Sequence, residues 1–355
     1  MSIRKRGKTW MIDYKDITGE RVRKSGFKTK EEAKIALSQA NVNNSKGISN
    51  IVDKECTMNT ACEYFLEKYA KIHCKQKTYD EYVRIIENEI IPLFNGVKIA
   101  SLEKVNIESF LEYLRDEKEL SNASINKYIT LVGSILEKQI ENGKLFQNVA
   151  KKVKKLKLQK TESRALTEDE IAKLLNTCKE VKPEFYPMLF TVLNTGLRRG
   201  EVIALMWENV DFEKNEITVK YSEYKSKLCS PKSDSSVRKV KITNTLKKVL
   251  IEQKLKSNGS KFVFPNSNGE LYMGNNITRR FFTPVMKATN IGQFRFHDLR
   301  HTYGSQLIAK GADYKYVQEQ MGHSSANITL NVYAHVLPES TEKAITILDE
   351  MYKVI

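Results

Sequence analysis

The chain has 355 residues, 41% hydrophobic and 29% charged, and carries 59 Lys and Arg against 43 Asp and Glu, a net charge of +16. That length exceeds one ordinary core and implies two or three domains. No apolar run is long enough to cross a bilayer, and the opening MSIRKRGKTWMIDYK lacks the apolar stretch of a secretory signal. Five scattered cysteines (Cys56, Cys62, Cys74, Cys178, Cys229) form no CxxC pair, which favours reduced thiols in a cytoplasm over disulfides or a cysteine-built metal site.

The first elements in chain order are three short strands and a helix. IRKR, TWMIDYKD and RVRKSGF are separated by turn-forming Gly7-Lys8 and 17–20. Trp10, Ile12 and Tyr14 share one strand face, and Arg21 and Arg23 share a face of the next. Thr29 with Glu32 three residues on is a capping box that opens a helix over KEEAKIALSQANV. Residues 1–47 hold 12 Lys and Arg against 5 Asp and Glu, and 43–50 read as a linker.

Residues 55–150 are helical throughout. CEYFLEKYAKIH, YDEYVRIIENEII, IESFLEYLRDEK and INKYITLVGSILEKQIENG each space apolar residues by three and four. Pro92 and Asn142-Gly143 mark stops. The Tyr, Phe and Leu stripes are bundle core. KKVKKLKLQK (151–160) follows, with six lysines and no acid, a connector suited to lie along a phosphate backbone through Lys151, Lys152, Lys154 and Lys155. With the basic N-terminus it points to a polyanion partner rather than a merely solvated basic surface.

From 163 onward a mixed, mainly helical domain carries a small antiparallel sheet. Thr167 and Glu170 cap a helix over EDEIAKLLNTC. Helices follow over FYPMLFTVLNTG and RRGEVIALMW, then strands EITVKYS and VRKVKIT, with Ile217, Val219 and Tyr221 on one face. Helices return with TLKKVLIEQKL.

Four of the five histidines lie between 297 and 335. In FHDLRHT a helix stacks His297 and Arg300 on one face, an imidazole beside a guanidinium fork suited to an oxyanion. The bland alternative for Arg300 is a salt link along the helix. His297 and His301 also have the spacing of a zinc-binding helix, yet Asp298 stands where a metalloprotease places glutamate. In TGLRRGE, Arg198 and Glu201 are three apart after a sharp Thr-Gly turn. In QEQMGHSS, Gly322 is a helix C-cap just before His323, and TLNVYAHV brings Tyr333 ten residues later.

Taken together and in order, T-G-L-R-x-x-E, H-x-x-R-H-T, G-H-S-S and Tyr-x-His resemble the tyrosine recombinase (phage-type integrase) family, over about 163–340. The layout upstream resembles integrases of temperate phages and integrative conjugative elements. The resemblance implies a multidomain, mainly α fold with small antiparallel sheets. It comprises an arm-type DNA-binding module (1–47), a helical core-binding domain (55–150) and a mixed α+β catalytic domain with a C-terminal helix (163–355). It implies that Arg198 and Arg300 clamp the scissile phosphate, that His297 and His323 donate to it or assist proton transfer, and that Tyr333 is the nucleophile. Glu201 then braces the framework, and Lys232, in SPKSDSSVRKVKI, protonates the leaving 5′ oxygen, with Lys225, Lys227 and Lys239 as alternatives.

By the same resemblance the enzyme needs no cofactor, metal or ATP, and forms a homotetramer on double-stranded DNA attachment sites in a bacterial cytoplasm. An excisionase and a host DNA-bending protein are its expected accessories. The chemistry agrees: a phosphodiester is shielded by negative charge, so attack needs cationic donors where charge develops. Two other functions compete. A non-catalytic DNA-binding protein leaves the five motif residues unexplained, whereas a type IB topoisomerase-like enzyme shares the chemistry and differs only in not joining paired sites. Tyr303 is expected in the core, Tyr314 and Tyr316 fall too early, and 339–355 form an amphipathic helix with Ala344, Ile347, Leu348 and Met351 on one stripe.

Overall fold

Alternating apolar and charged side chains build the first sheet. A computed structural model of the chain describes residues 2–15, 19, 21–45, 55–158, 164–229 and 237–322, in two units, Met1–Lys160 and Thr161–Ile355. In the first unit, strands Ser2–Arg6, Thr9–Lys15 and Arg21–Phe27 pair antiparallel in chain order. Ile12 and Tyr14 are buried against Ala33 and Ala40 of the helix Lys30–Ser45, with Trp10 packed beside them. The expected capping box is present: the Glu32 N–H donates to Thr29 Oγ1 at 3.1 Å and the Thr29 N–H to Glu32 Oε2 at 3.4 Å. The pleat leaves Arg4, Arg21 and Arg23 on the face away from the helix.

The helical module follows the apolar periodicity. Met58–Tyr64 continues through a π-turn Phe65–Ala70 into Lys71–His73, and Gln76–Ile85 through Ile86–Ile90 into Ile91–Phe94. Lys104–Asp116 and Asn122–Glu141 complete it around Phe65, Ile85, Phe110 and Ile135. Two expectations need correction. Pro92 does not stop its helix: it sits in the opening turn of Ile91–Phe94, just after the π-turn, where a missing N–H leaves no bond unmade. Nor is the start of the lysine-rich stretch a bare connector. Val153 is buried, and the Asn126 side chain both donates to the Leu156 carbonyl and accepts from its N–H, each at 2.8 Å. The packing therefore runs past residue 150.

In the second unit, the helix Glu168–Val181 opens on the expected Thr167–Glu170 capping box. Tyr186–Thr195 ends at Gly196, whose φ of 62° is the left-handed conformation that glycine adopts without a steric cost. The next helix is shorter than its sequence suggests, Arg199–Ile203. The chain extends after it because Trp207 N–H bonds the Lys261 carbonyl at 3.0 Å and Val263 N–H the Leu205 carbonyl at 2.9 Å. Strands Val210–Asp211, Glu216–Val219 and Arg238–Lys241 form an antiparallel sheet in that order, and Ser222–Tyr224 pairs with Lys227–Cys229 as a separate hairpin. Asn244–Lys256, Gly274–Ile277 with Thr283–Thr289, Phe296–Ala309 and Tyr314–Met321 follow. Val192, Val202, Ile217, Val240, Leu246 and Leu299 lie in the core. Lys232, His323, Tyr333 and the expected 339–355 helix lie outside the described residues.

Candidate functional site

Arg198 is the N-cap of the Arg199–Ile203 helix, held there by Glu201 one turn on. The Arg198 N–H donates to Glu201 Oε2 and its Nη1 to Glu201 Oε1, both at 2.8 Å. Its Nη2 donates to the Gly322 carbonyl at 3.1 Å, from 124 residues away. Arg300, on the Phe296–Ala309 helix, is 2% exposed. Its Nη1 donates to the Gly196 carbonyl at 2.7 Å, and its Nη2 to the Met321 carbonyl. The two arginine motifs thus meet at adjacent carbonyls, at the C-terminal end of the Tyr314–Met321 helix and one residue before His323. Those carbonyls lie at the negative end of the helix dipole, which suits guanidinium groups.

Two glycines make this approach possible. At Gly196 a Cβ would stand 2.5 Å from the Tyr303 ring, so the TGLRRGE turn lies directly on the helix that carries Arg300. Gly322, with φ 62°, closes the Tyr314–Met321 helix as expected, and a Cβ there would meet Arg238 Cδ at 2.9 Å.

Glu201 is buried, and burial pushes its carboxyl pKa up. Arg238, by hydrogen bond and charge, and Arg198, by charge and N–H, outweigh this and bring it down to about 2. His297 is exposed on the same helix as Arg300. The protein around its ring, then the charges of His301, Arg300 and Arg198, hold its pKa at about 4 against the opposing Asp298. Desolvation leads and the neighbouring guanidinium groups add to it, so His297 is a neutral imidazole at neutral pH. The rings of His297 and His301 meet edge to face at 5.0 Å. Asp298 is occupied as a cap, accepting from the Arg295 N–H at 2.9 Å and from its guanidinium. Tyr303 is buried and its phenol pushed well above its usual range by that burial, which agrees with its expected core role.

Arg238 was missed by sequence reasoning. Its guanidinium is buried, donating to Glu201 Oε1 at 3.1 Å, Glu201 Oε2 at 2.9 Å and the Gln320 carbonyl at 2.7 Å. The signal was the strand VRKVKIT itself: period two puts Arg238 on the inward face with Val240 and Ile242, an arginine among apolar neighbours. Lys239 projects to the other face and pairs with Glu216 at 3.6 Å.

The residues picked for DNA binding are exposed but engaged. Arg21 forms a two-pronged bond with buried Asp13, each prong 2.8 Å, and Arg23 stands 3.4 Å from the same carboxylate. Lys151 pairs with Glu137 at 2.7 Å, and Lys152 donates to Gln147 at 2.8 Å, while Lys154 and Lys155 are exposed. A cavity of about 780 Å³ lined by Phe185, Tyr272 and Phe281 includes none of the candidate residues.

Residues 164–340 match the Phage integrase family model, 2–43 an Arm DNA-binding domain, and 57–115 a Phage integrase N-terminal SAM-like domain. A tyrosine recombinase XerC-like protein of Caldanaerobacter subterraneus subsp. tengcongensis is 26% identical, aligned over 95% of this chain and 94% of the relative. Among solved structures, the Tn1549 transposon integrase in complex with a circular intermediate DNA superimposes with a TM-score of 0.70 at 21% identity, covering 81% of this chain and 99% of that one. A lambda integrase tetramer bound to a Holliday junction gives 0.65 at 18% identity, covering 94% of each. The arginine-lined turn lies inside the residues matched by the Phage integrase family model.

Proposed function

The chain belongs to the tyrosine recombinase (phage integrase) family and is a site-specific DNA recombinase, and from that premise we propose that Arg198 and Arg300 hold the scissile phosphate while Tyr333 attacks it. The convergence of these two arginines on the Met321–Gly322 turn carries the reading, because the next residue is His323. Attack forms a bond from the Tyr333 phenolic oxygen to phosphorus and breaks the bond to the 5′ oxygen. The phenolic proton passes to a neighbouring base, for which His323 and the neutral imidazole of His297 are the candidates. The leaving 5′ oxygen takes a proton from Lys232. The 3′-phosphotyrosine keeps the energy of the broken diester, so a second 5′ hydroxyl reverses the step on another strand without ATP.

The reading extends to paired duplexes, strand exchange through a four-way junction and a homotetramer, with support from the lambda integrase tetramer solved on a Holliday junction. Residues 1–47 then hold arm-type sites apart from the core site, in support of integration and excision of a mobile element. An excisionase and a host DNA-bending protein set the direction. Among the described residues no helix is long and apolar enough to cross a membrane.

The test is a nicked duplex carrying the end sequence of the element, with EDTA present throughout. The intact chain is expected to become covalently attached to the DNA, and Tyr333→Phe to bind without attaching. Attachment by Tyr333→Phe would overturn the assignment, and a requirement for added metal would overturn the arginine-based mechanism. Recombinant product from paired sites separates this reading from a relaxing topoisomerase.

A further inference from the structure

We propose that Arg238 is a positioning residue of the recombination site, joining Glu201 to the carbonyl end of the Tyr314–Met321 helix and so fixing the direction in which Arg198 presents its guanidinium. The inference rests on the recombinase reading above and adds to it a residue outside the four motifs.

Three regions far apart in sequence meet on this side chain. Arg238 is 37 residues from Glu201 and 82 from Gln320, and its guanidinium donates to both Glu201 carboxylate oxygens and to the Gln320 carbonyl. Glu201 is saturated by two arginines: Arg238 reaches both carboxylate oxygens, and Arg198 reaches both with its N–H and Nη1. The carboxylate therefore cannot turn without breaking a bond to one of them. The same strand is locked to the same helix a second time, because Lys241 N–H donates to Gln320 Oε1 at 2.9 Å. Gly322 completes the fit, since any side chain there would displace Arg238.

Stability alone is a weak reason to bury such a pair, for well-packed apolar residues of similar volume serve about as well. Apolar residues do not supply direction. A planar fork with fixed acceptors holds its partner in one orientation, and the partner here is the carboxylate that aims Arg198. The charge balance also matters. Glu201 neutralises one guanidinium of the three that surround the turn, leaving Arg198 and Arg300 net positive toward a phosphate.

The test compares Arg238→Lys, Arg238→Met and the pair Glu201→Met with Arg238→Met in the full chain, on the nicked element-end duplex used above. Covalent attachment at saturating DNA is expected to slow about a hundredfold in Arg238→Met, the size of effect that a displacement of about an ångström produces. DNA affinity stays within about threefold, and Arg238→Lys recovers part of the rate, since one ammonium replaces the charge but not the fork. The pH profile adds a readout that simple loss of structure does not imitate. The charged groups facing Glu201 are Arg198 from its own helix and Arg238 from the strand, with Lys220 and Tyr221 lining the small pocket beside it. Removing Arg238 lets burial raise the carboxyl pKa, so the acid limb of attachment moves up by roughly one pH unit or more.

The paired Met variant carries no uncompensated buried charge, so it keeps the test informative if Arg238→Met does not fold. Slow attachment by that folded pair supports the inference. Attachment at the parental rate by either Met variant overturns it, as does a loss confined to DNA affinity. If the unmodified chain forms no adduct, the recombinase reading itself fails, which is a different result from an adduct that Arg238→Met leaves undiminished.

Discussion

At the scale of one residue, Glu201 joins a buried ion pair to the proposed aiming of Arg198. Its carboxylate is 7% exposed and serves two guanidinium groups. Glu201→Gln leaves Arg238 buried without its counter-charge, a change expected to destabilise the fold by about 3–5 kcal/mol. Urea unfolding measures this, and a loss below about 1 kcal/mol would mean that the pair is solvated. The pH dependence has a defined sign. A folded pKa of about 2 lies below the ordinary 4.5, so the stabilisation is complete above the ordinary value and drains away as pH falls toward 2. Acid unfolding of the parent should therefore be steeper through this window than that of Glu201→Gln.

Elements are coupled by single bonds that period and propensity do not announce. On the Phe296–Ala309 helix, Thr302 Oγ1 donates to the Asp298 carbonyl at 2.9 Å and accepts the Leu166 N–H at 3.1 Å. Gln306 donates to the Leu166 carbonyl at 2.8 Å. The segment entering the catalytic unit is thus pinned to the back of the helix that carries His297 and Arg300. Thr302→Val keeps the shape but removes the acceptor, leaving a buried N–H unpaired at a cost of about 1–3 kcal/mol. A shift of the urea midpoint at unchanged slope would register it, and no shift would show that this N–H finds another partner.

At the scale of the molecule, the proposed function divides DNA recognition between modules. The matches at 2–43, 57–115 and 164–340 assign the basic sheet, the helical bundle and the arginine site to separate models. Deleting residues 1–47 is expected to spare attachment to a core-site duplex and to abolish integration at full attachment sites. Retained integration would remove the arm role from this sheet. The deletion should also flatten the salt dependence of binding to full sites, because fewer phosphate contacts release fewer counterions.

Sequence by itself determined the local and the chemical: the three strands and helix of the first module, the amphipathic helices of the second, the Thr29 and Thr167 caps, the Gly322 stop, and the family to which the motifs belong. Each is written in nearest neighbours or in a fixed order of residue types, so no long-range contact is needed to see it. Only the tertiary structure decided that the helix runs on past Pro92, that Leu156 and Lys157 bond back to the Asn122–Glu141 helix, and that Arg238 bridges Glu201 to Gln320. Those outcomes depend on which distant carbonyl or carboxylate lies within 3 Å of a donor, and a hydrogen bond between positions 37 or 82 residues apart leaves no period in the chain.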